Sequence, residues 1–152
     1  MTFKSGKKFV WLGVIALIII SFCCVLSVNS QSKREIANAY IKRANDAIES
    51  SIDYTTALIN FNKALKYIDV ITDARIASLG AKAYYEIHHK QRTLDKQIKF
   101  LKKSNYYSKK YFSLAKNKNS DAYLDNLDTY ALARKDLKDL MYKKRKKSMR
   151  KF

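Results

Sequence analysis

The sequence of 152 residues contains no proline, and only Gly6, Gly13 and Gly80 supply glycine. β-Sandwiches and barrels need many turns, and turns depend on these two residue types. Their scarcity therefore argues against an all-β fold. Cysteine is confined to Cys23 and Cys24, near the N-terminus. The rest of the chain can thus hold neither a disulfide framework nor a cysteine-ligated metal.

Sequence patterns that accompany catalysis are missing as well. No glycine-rich phosphate loop, nucleophile elbow or cysteine–histidine set occurs. His88 and His89 are adjacent, so on a helix their side chains point about 100° apart and do not share a metal ion. We therefore expect that the protein is not an enzyme and that it uses no cofactor and no metal.

Acidic residues are few, and the excess of basic residues is concentrated in two places. The formal net charge is +18. Eight lysines and no acid lie in the stretch 96–118, and seven of the nine residues in 143–151 are basic. Such stretches favour polyanions: anionic lipid head groups, nucleic acid, acidic cell-wall polymers or acidic proteins. Within a basic C-terminal tail, 142–152, which we expect to be disordered, the candidate polyanion-binding residues are Lys143, Lys144, Arg145, Lys146 and Lys147.

Residues 9–28 form a run of 20 residues without a charge, preceded by a basic tail over 1–8. At about 1.5 Å per residue this run spans roughly 30 Å, the thickness of a hydrocarbon core. It therefore predicts a single transmembrane helix that contacts the lipid bilayer. A cleaved signal peptide with export of the body, or a lipidated cysteine, are the alternatives.

The short basic tail favours an N-terminus that stays in the cytoplasm. The body would then lie outside it. Because the chain is rich in lysine, isoleucine, asparagine and tyrosine, we associate it with an AT-rich genome, and we expect the periplasmic side of a bacterial inner membrane.

Apolar residues at three- and four-residue spacing predict about five helices over 31–141. Polar clusters at Asp53, Thr72-Asp73, Thr93–Asp95 and Ser120-Asp121 predict where four of them begin. Short breaks between helices favour antiparallel neighbours, and hence an all-α fold. For the fifth helix we expect an inward face made of Tyr123, Leu127, Tyr130, Ala133, Leu137 and Leu140.

The second of these helices resembles the second helix of a tetratricopeptide repeat, because it places Ala57, Phe61 and Ala64 at that family's spacing of small residue, aromatic and small residue. Leu79-Gly80 and Ala83-Tyr84 resemble the first helix of a following repeat. The resemblance implies degenerate helical hairpins whose first helices form a concave protein-binding face. Carried onto this sequence, that face comprises Lys42, Asn45, Glu49, Lys82 and Glu86.

The features together favour a membrane-anchored scaffold or adaptor that binds a protein partner. A polyanion-binding protein that uses the stretches 96–118 and 143–151 is one alternative. A small structural subunit of a membrane complex is another. A strong salt dependence of binding would favour the polyanion alternative.

Overall fold

The computed structural model describes residues 32–150, and this part of the chain contains helices and short connections but no strand. The all-α class is therefore confirmed. The predicted basic tail 1–8 and membrane span 9–28 lie outside the described residues. Between residues 32 and 150, no helix is both long and apolar enough to cross a bilayer. The helices are α1 (32–51), α2 (Tyr54–Ala64), α3 (Ala74–Ile87), α4 (Leu94–Leu114) and α5 (Asp121–Met149), with a 3₁₀ turn at His88–Lys90.

Four helices begin within the polar clusters that the sequence indicates. Asp53 accepts hydrogen bonds from the amides of Thr55 and Thr56, and so caps α2. Asp73, Thr93 and Ser120 cap α3, α4 and α5 in the same manner. Each side chain satisfies an amide that the first turn of a helix leaves without a partner.

Contacts between side chains show that neighbouring helices run antiparallel. Lys103 donates to the Tyr84 hydroxyl at 2.9 Å, and the Ser104 hydroxyl donates to the Ala81 carbonyl at 2.9 Å, so α4 reverses along α3. The Lys144 ammonium near the end of α5 pairs with Asp95 at the start of α4. Consecutive helices from α3 to α5 therefore lie side by side in alternating directions.

The core is built around the fully buried ring of Phe61. This ring meets the rings of Tyr84 and Tyr107 edge-to-face, with centroids 6.3 and 5.1 Å away. Ala57 and Ala64 are fully buried on the same helix and allow the neighbouring helices to approach. A Cβ atom on Gly80 would lie 2.5 Å from Phe61 Cζ, so any larger residue there would force the ring or the helix to shift.

Helix α5 differs from its prediction in two respects. Its buried residues are Asn126, Thr129 and Ala133, whereas Leu127, which we expected to face inward, is 44% exposed. As expected, Ala133 is buried, and Tyr123, Tyr130, Leu137 and Leu140 are half-buried. The inward face therefore agrees in part with the prediction, and it also includes the polar side chains of Asn126 and Thr129. The helix also continues to Met149, through residues that we expected to be disordered.

Candidate functional site

The first candidate site is the groove where α1, α3 and the start of α5 meet, which we call the α1–α3–α5 groove. It has a volume of about 480 Å³. Ile48, Leu79 and Tyr111 supply apolar surface within it. Its charged and amide side chains come from α1, from α3 and from the connection before α5: Asn45, Glu49, Arg75, Lys82, Lys116 and Asn117.

Polar contacts hold the start of α5 against α3 and thereby set one wall of this groove. Lys82 Nζ lies 3.4 Å from a carboxylate oxygen of Asp125. The amide nitrogen of Asn126 donates to the Ser78 hydroxyl at 2.9 Å and to the Ala122 carbonyl at 2.8 Å. Asn126 is almost fully buried, and its bond to Ser78 is the one of these two that joins α5 to α3.

A smaller cavity of about 340 Å³ adjoins the groove and shares Asn45, Glu49 and Arg75 with it. Lys42 lines this cavity and pairs with Asp46 at 2.8 Å. The hydrogen bond and charge of Asp46 raise the pKa of the Lys42 ammonium. The two cavities form one continuous surface along α1 and α3.

Four of the five residues predicted for partner binding lie on this continuous surface: Lys42, Asn45, Glu49 and Lys82. Glu86 does not line either cavity and is half-buried. Burial and the nearby Glu86 carboxylate raise the pKa of the Tyr54 hydroxyl at the start of α2. Glu86 therefore belongs to the contact between α2 and α3.

The second candidate site is a groove of about 510 Å³ between α4 and α5, which we call the α4–α5 groove. Helix α4 contributes Lys102, Asn105, Tyr106 and Lys109, and α5 contributes Tyr130, Arg134, Leu137, Lys138, Met141 and Arg145. The lining thus includes five basic side chains and no carboxylate. Within each set the residues recur at spacings of three and four, which places them along one helix face.

The basic residues that we predicted for polyanion binding lie in different environments in the structure. Arg145 lines the α4–α5 groove, as do Lys102 and Lys109 from the stretch 96–118. Lys144 pairs with Asp95. The remaining three residues proposed for polyanion binding, Lys143, Lys146 and Lys147, are exposed on α5 and do not line the groove.

Arg134 and Lys138 were not among the residues predicted for a site. Both lie on the α5 side of the groove, and the Arg134 guanidinium stands 5.6 Å from the centre of the Tyr130 ring. A signal existed in the sequence, because Tyr130, Arg134 and Lys138 recur at four-residue steps. Only the pairing of α5 with α4, however, shows that these residues face other cations.

Comparison with known proteins adds no relationship: no protein-family model, curated protein or solved structure matches the chain. Within residues 32–150, no group of three or more histidine, cysteine or acidic side chains is arranged to hold a metal ion. The functional proposal therefore rests on the two grooves.

Proposed function

We propose that this protein is a membrane-tethered adaptor that holds a segment of a protein partner in the α1–α3–α5 groove. The observation that carries the proposal is that Asn45, Glu49 and Lys82 line one cavity although up to 37 residues separate them in the sequence. The uncharged run 9–28 supplies the proposed tether.

The chemistry of the groove suits a peptide. Glu49 and Lys82 offer opposite charges, and the Asn45 amide offers both a donor and an acceptor. Ile48, Leu79 and Tyr111 offer apolar surface beside them. A polypeptide segment presents this same mixture of amides, charges and apolar side chains, so one segment can satisfy all three kinds of group.

We further propose that the helices pack as tetratricopeptide-type hairpins. The burial of Ala57, Phe61 and Ala64, and the contact of Phe61 with Gly80, support this arrangement. In such an arrangement α1, α3 and α5 are the first helices of successive units, and the groove between them is the face on which that family generally binds peptides.

Photo-crosslinking in cells of the source organism tests the proposal. A benzoyl-phenylalanine at position 45 or 82 of the full-length chain should yield a discrete protein adduct. The matched control is position 59, since Ile59 is 51% exposed on α2 and does not line the groove. Equal adducts from position 59, or no adduct from 45 and 82, would contradict the proposal.

Salt dependence separates this function from polyanion binding. A complex held by the mixed surface of the groove should persist at about 0.5 M salt, where exposed charge pairs are strongly screened. Loss of the complex over that range, together with binding to anionic vesicles or nucleic acid, would favour the polyanion alternative. A body that is unstable when expressed alone would instead favour a structural subunit.

A further inference from the structure

The α4–α5 groove is lined by basic side chains, and no acidic side chain in the lining balances their charge. Two lysines from α4 face one lysine and two arginines from α5, and no acidic side chain lies among them. Like charges that face each other across a groove repel, and a bound anion relieves that repulsion. The groove therefore favours an occupant that carries several negative charges.

The groove also has an apolar and aromatic lining between its cations. Leu137, Met141, Tyr106 and Tyr130 supply this surface, and Tyr106 and Met141 are 63% and 39% exposed. Tyrosine, methionine and arginine are enriched in protein–protein interfaces, whereas lysine is depleted there. A polyphosphate or sugar–phosphate backbone would leave the apolar lining without a partner.

A hydrogen-bonding group in the wall favours a ligand with donors. Asn105 lines the groove, and its Oδ1 atom is buried without a hydrogen-bond partner within residues 32–150. An unpaired buried acceptor costs roughly 1–3 kcal/mol. A peptide amide would satisfy this acceptor where the side chain turns into the groove, whereas a phosphodiester offers no N–H group. A flat bilayer surface, moreover, does not follow a recess between two helices.

From these features we infer that the α4–α5 groove is a second binding site, which takes an acidic amphipathic segment of a protein partner. The site does not depend on the function proposed for the α1–α3–α5 groove, because the two grooves share no lining residue. The α5 side of the groove extends from Tyr130 to Arg145, which is roughly 22 Å of helix. A helical segment of about four turns matches that length, with apolar residues facing Leu137 and Met141 and acidic residues facing the cations.

The test is a selection of random 16-residue peptides displayed on phage against the full-length protein in non-ionic detergent. We expect enrichment of peptides with several acidic residues and with apolar residues three or four positions apart. Affinity of the selected peptides, measured by fluorescence anisotropy, should fall at least about tenfold in the double variant Arg134→Glu, Lys138→Glu, since each exchange replaces an attraction with a repulsion.

The matched control is Lys143→Glu with Lys147→Glu, which makes the same charge change on the same helix outside the groove. It should weaken binding less than about threefold. Equal loss in both variants would overturn the inference, because it would show that only net charge matters. Circular dichroism and the unfolding temperature establish that each variant is folded.

A second variant keeps the charge and removes only aromatic surface. Tyr106→Ala should weaken the selected peptides by about three- to tenfold without changing the slope of affinity against salt. The same protein is also titrated with polyphosphate and with phosphatidylglycerol vesicles. Binding of these probes that requires Arg134 and Lys138, with no acidic enrichment among the selected peptides, would overturn the peptide assignment.

Discussion

At the residue scale, the contact between Gly80 and Phe61 controls how closely α2 and α3 approach. Elsewhere in a helix, a change from glycine to alanine stabilises by up to about 1 kcal/mol. Here the new Cβ atom would lie 2.5 Å from Phe61 Cζ, and the ring is fully buried against Tyr84 and Tyr107. Steric conflict should therefore outweigh helix propensity.

We expect Gly80→Ala to lower the free energy of unfolding by about 1–2 kcal/mol, which is typical of overpacking. Urea denaturation followed by circular dichroism measures it. In the background Phe61→Leu the same change should cost much less, because the smaller side chain leaves room for the methyl group. A Gly80→Ala variant that is more stable than the wild type would show that the two helices can separate without penalty.

Tyr107 makes the stability of the folded protein depend on pH in the alkaline range. Burial, with the nearby Tyr84 and Tyr106, raises the pKa of the Tyr107 hydroxyl to about 12. Because this folded-state pKa lies above the unfolded value of 10.0, the unfolded chain loses its proton first. The contribution of the group to stability is therefore complete below pH 10 and is lost as the pH rises towards 12.

We expect the wild type to lose about 2 kcal/mol more stability between pH 10 and 12 than Tyr107→Phe, which has no group to ionise at that position. Comparison of the two denaturation curves at each pH cancels the titration of lysines and of the other tyrosines. Parallel pH profiles for the two proteins would mean that the hydroxyl reaches water in the folded state.

At the scale of the element, the starts of four helices follow from the sequence, whereas the inward face of α5 follows only in part. Asp53, Asp73, Thr93 and Ser120 act on amides two or three residues away, so the local sequence contains the whole interaction. The face of α5 depends on Ser78, which lies 48 residues from its partner Asn126. An apolar stripe cannot reveal a contact between two polar side chains.

The same reasoning explains why the α4–α5 groove was not predicted. The basic stretches were visible as composition, but the facing positions of Lys102, Lys109, Arg134 and Lys138 arise only when α5 reverses along α4. The buried polar side chains of Ser104 and Ser108 also weaken the apolar stripe of α4 from which its orientation would be read. The residues that face each other across the groove therefore follow from the packing of α5 on α4 and not from the periodicity of either helix.

A pair of substitutions on α5 tests which face is inside. Leu127→Ala should change the unfolding free energy by less than about 0.5 kcal/mol, as is usual for an exposed position. Ala133→Leu should lower it by about 1–3 kcal/mol, since Ala133 is fully buried and a larger side chain there would overpack the contact. Thermal unfolding of both variants measures the difference. A large loss for Leu127→Ala would show that Leu127 lies inside, as the apolar stripe predicts, and a tolerated Ala133→Leu would contradict the burial of Ala133.

At the scale of the whole molecule, the side of the membrane on which the helical body lies decides which partners can reach the two grooves. The tail 1–8 contains Lys4, Lys7 and Lys8 before the uncharged run 9–28. Short basic segments are retained in the cytoplasm, whereas long domains cross largely regardless of charge. The proposed topology therefore places both grooves outside the cytoplasm.

Protease protection in spheroplasts, with an epitope tag placed after Phe152, checks this topology. We expect a membrane-bound product of full-length size, because an uncleaved anchor keeps residues 1–28, and we expect protease added from outside to remove the tag. The control is a cytoplasmic protein that stays intact until lysis. A shorter product would indicate a cleaved signal peptide. A tag that is protected until lysis would reverse the orientation, and the acidic segment recognised by the α4–α5 groove would then have to be sought among cytoplasmic proteins.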